Sequence, residues 1–216
     1  MPQFFSPSAN TFARMSILAV VLLLLSVAGL SYLIVRSHYE TMQNMPREQP
    51  VPFSHAHHVG GLGIDCRYCH TTVETSAFAN IPPTKICMNC HSEMWATAPA
   101  LEPVRESYRT GKSIEWTRVN DLPDFVYFNH SIHVAKGIGC TTCHGRIDKM
   151  NLTWQAQPLT MEWCLDCHRH PESYVRPRDE VFSMDYRVPA NQVAFGSQLV
   201  KQYHIRSLTS CDTCHR

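Results

Sequence analysis

The longest unbroken apolar stretch lies near the N-terminus: the 21 residues from Met15 to Val35 carry no charge and include Val20-Val21-Leu22-Leu23-Leu24-Leu25. As a helix rising about 1.5 Å per residue it spans about 31 Å, the thickness of a bilayer's hydrocarbon core. A cleaved leader competes with this reading, because Ser26-Val27-Ala28 supplies the small residues of a cleavage site. Apolar character continues past that point through Leu30, Leu33, Ile34 and Val35, so a retained transmembrane helix over 15–35 is expected. Residues 36–52 are polar and carry Pro46, Pro50 and Pro52, the pattern of an extended linker. Beyond it the helical period surfaces only in short pieces. Pro99 to Thr110 puts Leu101, Val104 and Tyr108 on one face, keeps its prolines in the opening turn and meets Gly111 as a stop. Pro189 to about Ser207 puts Val193, Val200 and His204 at i, i+7 and i+11, which predicts a second helix presenting His204 among apolar neighbours.

Composition changes this picture through two residue types. The 216 residues include ten cysteines and thirteen histidines, while a net charge of +1 excludes a general nucleic-acid binder. Every cysteine falls in one string: Cys66-Arg67-Tyr68-Cys69-His70, Cys87-Met88-Asn89-Cys90-His91, Cys140-Thr141-Thr142-Cys143-His144, Cys164-Leu165-Asp166-Cys167-His168 and Cys211-Asp212-Thr213-Cys214-His215. Chance supplies a C-x-x-C-H string about 0.03 times in such a chain. Two thiols on one turn can each join a vinyl group of the same porphyrin, while the adjacent histidine lies under the iron as proximal ligand. Zinc gives no reason for a histidine after every second cysteine, and a disulfide framework gives no reason for one repeated spacing. Five covalent haem c groups are therefore expected, with His70, His91, His144, His168 and His215 as proximal ligands.

The remaining histidines decide the function class, because an iron with a second protein ligand transfers electrons and one with an open position can activate a small molecule. His38, His55, His57, His58, His130, His133, His170 and His204 outnumber the five motifs. Phe53-Ser54-His55-Ala56-His57-His58-Val59 precedes Cys66, and Phe128-Asn129-His130-Ser131-Ile132-His133-Val134 precedes Cys140. Both read F-x-H-x-x-H-V, then a glycine-containing turn, then a motif. In each unit a Pro and Thr pair also leads into the second motif, Pro82 and Thr84 before Cys87, Pro158 and Thr160 before Cys164. The soluble part thus reads as a duplicated dihaem unit with a fifth haem appended. Histidines at i and i+3 lie on neighbouring sides of one helical turn, so one turn can serve two irons. The expected distal set is His55, His58, His130, His133 and His204, with His170 in reserve; His57 and His38 are left out. Met150, Met161 and Met184 are the methionines that would raise one haem's potential in place of a histidine.

The expected domains are a cytoplasmic N-terminus at 1–14, the transmembrane helix at 15–35, the linker at 36–52 and a pentahaem domain at 53–216. That last divides into a first dihaem unit at 53–127, a second at 128–188 and the fifth haem at 189–216. Haem c is attached outside the cytoplasmic membrane, which places residues after Val35 on the periplasmic side of a single-pass protein. The chain lacks a lipobox cysteine, so a spanning helix and not a lipid anchor holds it to the bilayer. With 164 residues for five haems the porphyrins must form much of the core. The expected fold class is mostly irregular with short α-helices, its tryptophans Trp95, Trp116, Trp154 and Trp163 packing on haem. Arg169, Arg176, Arg178 and Arg187 are candidates to pair with propionates, or form a solvated basic surface. Ten propionates and five ferric bis-histidine centres would move the net charge from +1 to about −4.

The F-x-H-x-x-H segments ahead of C-x-x-C-H resemble the ligand pattern of small multihaem cytochromes of the c3 and c7 type. That resemblance implies His55 on the Cys66 haem and His130 on the Cys140 haem, with His58 and His133 reaching other haems. Taken whole, the chain resembles the membrane-anchored pentahaem cytochrome subunits of alternative complex III. The resemblance implies a non-catalytic electron-transfer subunit of a quinol-oxidising respiratory or photosynthetic complex. Its partners would include an iron-sulfur protein, a monohaem cytochrome c and polytopic membrane subunits, with a soluble carrier or terminal oxidase as acceptor. Two rivals stand beside it. One is a self-contained quinol dehydrogenase anchor feeding a periplasmic reductase, to which His38 just past the helix points. The other is a multihaem enzyme of nitrogen compounds, which would need an iron with an open position.

Overall fold

The computed structural model describes residues 5, 6 and 8–215, and the chain separates into two compact units, Met1–Met42 and Gln43–Arg216. In the first unit α1 (Ser8–Val35) extends the expected apolar helix by two turns on its N-terminal side, and its side chains are exposed along its length. It is long and apolar enough to cross a membrane.

The second unit is helical and irregular. Among the described residues it contains no sheet, only isolated bridges between Gln43 and Gln155 and between Ile138 and Val175. Its longer helices are α2 (Thr84–His91), α3 (Glu102–Thr110), α4 (His130–Ala135), α5 (Met161–Arg169) and α6 (Gln192–Gln202). Single turns form at Cys66–Cys69, Cys140–His144 and Cys211–Cys214. Residues 43–52 run extended against the rest of this unit: Asn44 N donates to Gln155 O at 2.8 Å, and Gln49 Nε2 to Thr117 O at 2.9 Å.

The helix expected over 99–110 forms as a 3₁₀ turn at Pro99–Leu101 that continues into α3 and stops at Gly111, whose φ of +73° closes the C-terminus. Its inner face carries Val104 and Ser107, both buried. The Ser107 hydroxyl meets Thr84 Oγ1 at 2.7 Å, which pins α2 and the motif it carries to α3. The helix expected over 189–207 is shorter. It ends at Gln202, and His204, with φ of +50°, lies past its end. The buried face is also a different one: Gly196, Leu199 and Tyr203 turn inward at i, i+3 and i+7, while Val193 is exposed. The reason is steric, because Gly196 packs on the Glu172 carbonyl and a side chain there would overlap it. Val175, Leu199 and Tyr203 form a small buried cluster with Ile138, Phe195, Val200 and Ile205 against it. This cluster organises the C-terminal part; elsewhere the motifs and their histidines order the chain.

Candidate haem sites

The two F-x-H-x-x-H segments fold alike although their spacing to the next motif differs. Phe53 stands 13 residues before Cys66, and Phe128 stands 12 before Cys140. The second segment forms the α-helical turn of α4; the first forms a π-helical turn, Ala56–Gly61, which absorbs the extra residue. Gly60 makes that wider turn possible by lying flush on the Asp148 carbonyl. The histidine geometry is preserved. Phe53 meets the His55 ring edge-on at 4.9 Å and stacks on His58 at 4.4 Å; Phe128 meets His130 edge-on at 4.8 Å and stacks on His133 at 4.5 Å. The phenylalanine of the pattern is therefore a wedge that holds its two imidazoles apart and sets their angle. The sequence pattern included this residue without indicating that role.

Three of the four histidines in these segments face a motif histidine at one recurring distance. Ring centroids lie 6.1 Å apart for His58 and His91, 6.4 Å for His130 and His144, and 6.2 Å for His133 and His168. Two imidazoles bonded to one iron at about 2 Å each would hold their centroids about 6.2 Å apart. The fourth, His55, is close enough to His70 and His144 that both add to burial in lowering its pKa to about 4. His144 is likewise lowered to about 4, by burial first and then by His130 and His70. These rings are neutral at pH 7, the form in which imidazole binds a metal.

Hydrogen bonds fix which nitrogen is free. Nδ1 lies 2.9 Å from Ser54 O in His58, 2.8 Å from Ala77 O in His130 and 2.7 Å from Asn129 O in His133. It lies 2.6 Å from Asn80 O in His70, 3.0 Å from Met94 O in His91 and 3.1 Å from Phe125 O in His215. A carbonyl only accepts, so each Nδ1 must carry the proton and each Nε2 presents a lone pair. His55 makes the analogous contact to Thr153 Oγ1 at 3.0 Å. Seven oriented imidazoles, together with three pairs of rings at the required separation, make a donor set that fits covalent haem.

The thiols fit it as well. Burial pushes Cys140 up to about 11 and Cys143 up to about 12, and the neighbours that add to the Cys143 shift are other motif cysteines. Neutral thiols in apolar surroundings suit thioether formation with a porphyrin vinyl.

The other expected ligands are placed differently. His170 and His204 are exposed, and His170 has its Nδ1 3.7 Å from Glu172 Oε1. The His215 ring lies 5.7 Å from Phe125. His57, left out of the ligand set, lies 5.3 Å from Trp95. Met150 is fully buried, Met161 is exposed and Met184 is intermediate. Of the four arginines, Arg176 alone is buried. Its guanidinium donates to Thr141 Oγ1 at 2.8 Å inside the third motif and lies over the Tyr186 ring at 4.5 Å.

Residues 126–216 match the family model described as cytochrome c7 and related cytochrome c. The C-terminal region is therefore c7-like. Covalent haem c is the cofactor of that family, and electron transfer is its chemistry. The multiheme cytochrome c subunit of menaquinone reductase from Nitratidesulfovibrio vulgaris is 37% identical to this chain over 99 residues. The match covers 45% of this chain and 46% of that protein, so the chain spans less than half the length of the relative.

Proposed function

We propose that the chain is a membrane-anchored, five-haem electron relay of a quinone-linked complex, with α1 as its anchor and the c7-type region in the periplasm. The observation that carries this reading is the pairing of oriented imidazoles at a centroid separation of 6.1–6.4 Å. Each motif would hold one haem through its two cysteines, with His70, His91, His144, His168 and His215 on the proximal side. His55 would complete the Cys66 site, His58 the Cys87 site, His130 the Cys140 site and His133 the Cys164 site. His204, with His170 in reserve, is the proposed distal ligand of the Cys211 site.

The cofactor supplies reversible one-electron chemistry when bound; the chain supplies ligation, tautomer and charge. Nδ1–H donation to carbonyls makes each imidazole a stronger base toward iron and locks its ring plane. Two histidine ligands for each haem would leave no site for a small molecule, which favours conduction over the enzymatic alternative.

Within that reading, the full-length resemblance supports a quinol-oxidising complex of the alternative complex III type. It would have an iron-sulfur protein, a monohaem cytochrome c and polytopic subunits as partners, and a soluble carrier or terminal oxidase as acceptor. The similarity to a menaquinone reductase subunit favours a second reading with the opposite flow, from periplasmic donor to quinone. Both place quinone chemistry on a partner subunit. Purified complex tests them: haem should amount to five per chain and be low-spin by EPR in the oxidised state. Quinol-driven reduction of a cytochrome acceptor supports the first direction, and donor-driven quinone reduction supports the second. Stoichiometric high-spin haem refutes the conductor, and quinol oxidation by the isolated chain refutes a partner-held quinone site.

A further inference from the structure

Four sets of contacts join the five motifs two at a time. The Cys87 and Cys66 motifs are tied by Asn89 Nδ2 donating to Tyr68 Oη at 3.0 Å, and by His58, which faces His91 from the π-helical turn that leads into Cys66. The Cys66 and Cys140 motifs are tied across the repeat. His130 N and Ser131 N donate to Ala77 O and Ser76 O at 3.2 and 3.1 Å, just past His70, and His130 is the partner of His144. The segment Val181-Phe182 bridges the same two motifs, receiving Cys140 N at 3.1 Å and lying under the Arg67 guanidinium at 4.5 Å. The Cys140 and Cys164 motifs share the α4 turn, from which His130 and His133 face His144 and His168. The Cys164 and Cys211 motifs are tied by Ser207 Oγ, which donates to His168 O at 3.1 Å four residues before Cys211.

We infer that the five haem sites form one unbranched array in the order Cys87, Cys66, Cys140, Cys164, Cys211, and that its two end sites exchange electrons with partner proteins. The inference rests on the five-haem reading above. The four links use the Cys87 and Cys211 motifs once and each of the others twice, which is the condition for a line with two ends. The order departs from the order in sequence only in the first repeat, where the Cys66 motif and not the Cys87 motif meets the second repeat.

The two ends also share a feature: an exposed aromatic lies against the proximal ring. Trp95, 57% exposed, stacks on His91 at 5.9 Å, and Phe125, 64% exposed, tilts against His215 at 5.7 Å. Each passage would take one electron from a one-electron protein donor at one end and deliver one to a one-electron protein acceptor at the other. The donor is oxidised, the acceptor is reduced, and the relay returns to its starting state without moving a proton.

Iron anomalous scattering from crystals of the purified full-length haem-loaded protein tests the order directly. Five irons whose nearest neighbours trace Cys87, Cys66, Cys140, Cys164, Cys211 are expected. Five bis-ligated irons in a branched or different order, such as the Cys211 iron nearest the Cys66 iron, overturn this inference and leave the proposed function standing. Fewer than five irons, or irons away from the motifs, overturn the five-haem reading and the order with it.

Discussion

Removing one distal imidazole separates its two consequences, spectroscopic and mechanical. His133 stacks on Phe128 and faces His168 across 6.2 Å, so the proposed iron bond closes a loop of 35 residues between positions 133 and 168. In the chain-entropy model a cross-link of that span constrains the unfolded chain by about 4 kcal/mol, against about 3 kcal/mol for the 14-residue span from His130 to His144. An unfolded chain that recruits another histidine keeps part of the constraint, so His133→Ala is expected to lose about 2–4 kcal/mol of stability. Denaturant unfolding followed by far-UV circular dichroism measures the loss, and EPR and visible spectra should show one haem in five turned high-spin. Added imidazole should return that haem to low spin, because it restores the ligand, and should leave the stability loss in place, because it does not restore the cross-link. A fully low-spin His133→Ala protein, or imidazole that recovers stability together with the spectrum, would refute the reasoning.

Four further outcomes follow from particular contacts. Thr153→Val removes the hydroxyl 3.0 Å from His55 Nδ1 and should raise one haem potential by about 40 mV, the one-electron equivalent of a hydrogen bond worth about 1 kcal/mol; potentiometric titration would expose an error as no change or a fall. Arg176→Met removes a buried cation whose Nε has no partner among the described residues, and one potential should fall by ~40 mV, from about 1 kcal/mol of charge interaction at an effective dielectric near 20. Gly196→Ala drives a methyl into the Glu172 carbonyl and should cost about 1–3 kcal/mol in denaturant unfolding while the haem spectrum at zero denaturant stays low-spin. Asp148 accepts from Arg146 at 2.8 and 2.6 Å, and those bonds hold its carboxyl below the ordinary value. A depressed folded pKa contributes stability above the unfolded value near 4 and loses it as pH falls through the folded one. The gap between wild type and Asp148→Asn, about 1 kcal/mol at neutral pH because Arg146 is half exposed, should therefore close as pH drops below about 4; a gap independent of pH would contradict it.

The cofactor chemistry was legible because it is written in residue types at fixed spacing: cysteine pairs followed by histidine, and a doubled F-x-H-x-x-H. The match of residues 126–216 to the cytochrome c7 family model agrees with that reading. What orients the imidazoles was not legible, since the acceptors are backbone carbonyls with no residue signature. Ala77 is 53 residues from the His130 it orients, and Phe125 is 90 from His215. Arg176 could not be separated from Arg169, Arg178 and Arg187 by sequence; only the approach of Gly139 to its guanidinium shows which one is buried. The misplaced face of α6 has a similar cause. Periodicity selected Val193 and Val200, whereas packing selected Gly196, whose missing side chain lets the helix backbone lie against the carbonyl of residue 172.

The π-helical turn shows which property of the repeat the fold holds constant. The phenylalanine and its two histidines are spaced alike in both copies, and the extra residue falls between the second histidine and the cysteine, 8 residues from His58 to Cys66 against 7 from His133 to Cys140, where a fixed α-helical path would rotate the motif by about 100° relative to the histidines. The Phe53–His58 and Phe128–His133 stacks differ by only 9° in interplanar angle, 21° against 30°. His58 and His91 likewise make 67° between planes, against 68° for His133 and His168. The backbone takes up the extra residue so that the ring pairs do not have to. Under the proposed ligation those pairs are at once the cross-links of a chain with a small apolar core and the steps of its electron path. Backbone irregularity is therefore tolerated where it leaves ring geometry intact. A substitution that rotates an imidazole would weaken the fold and the relay at the same bond.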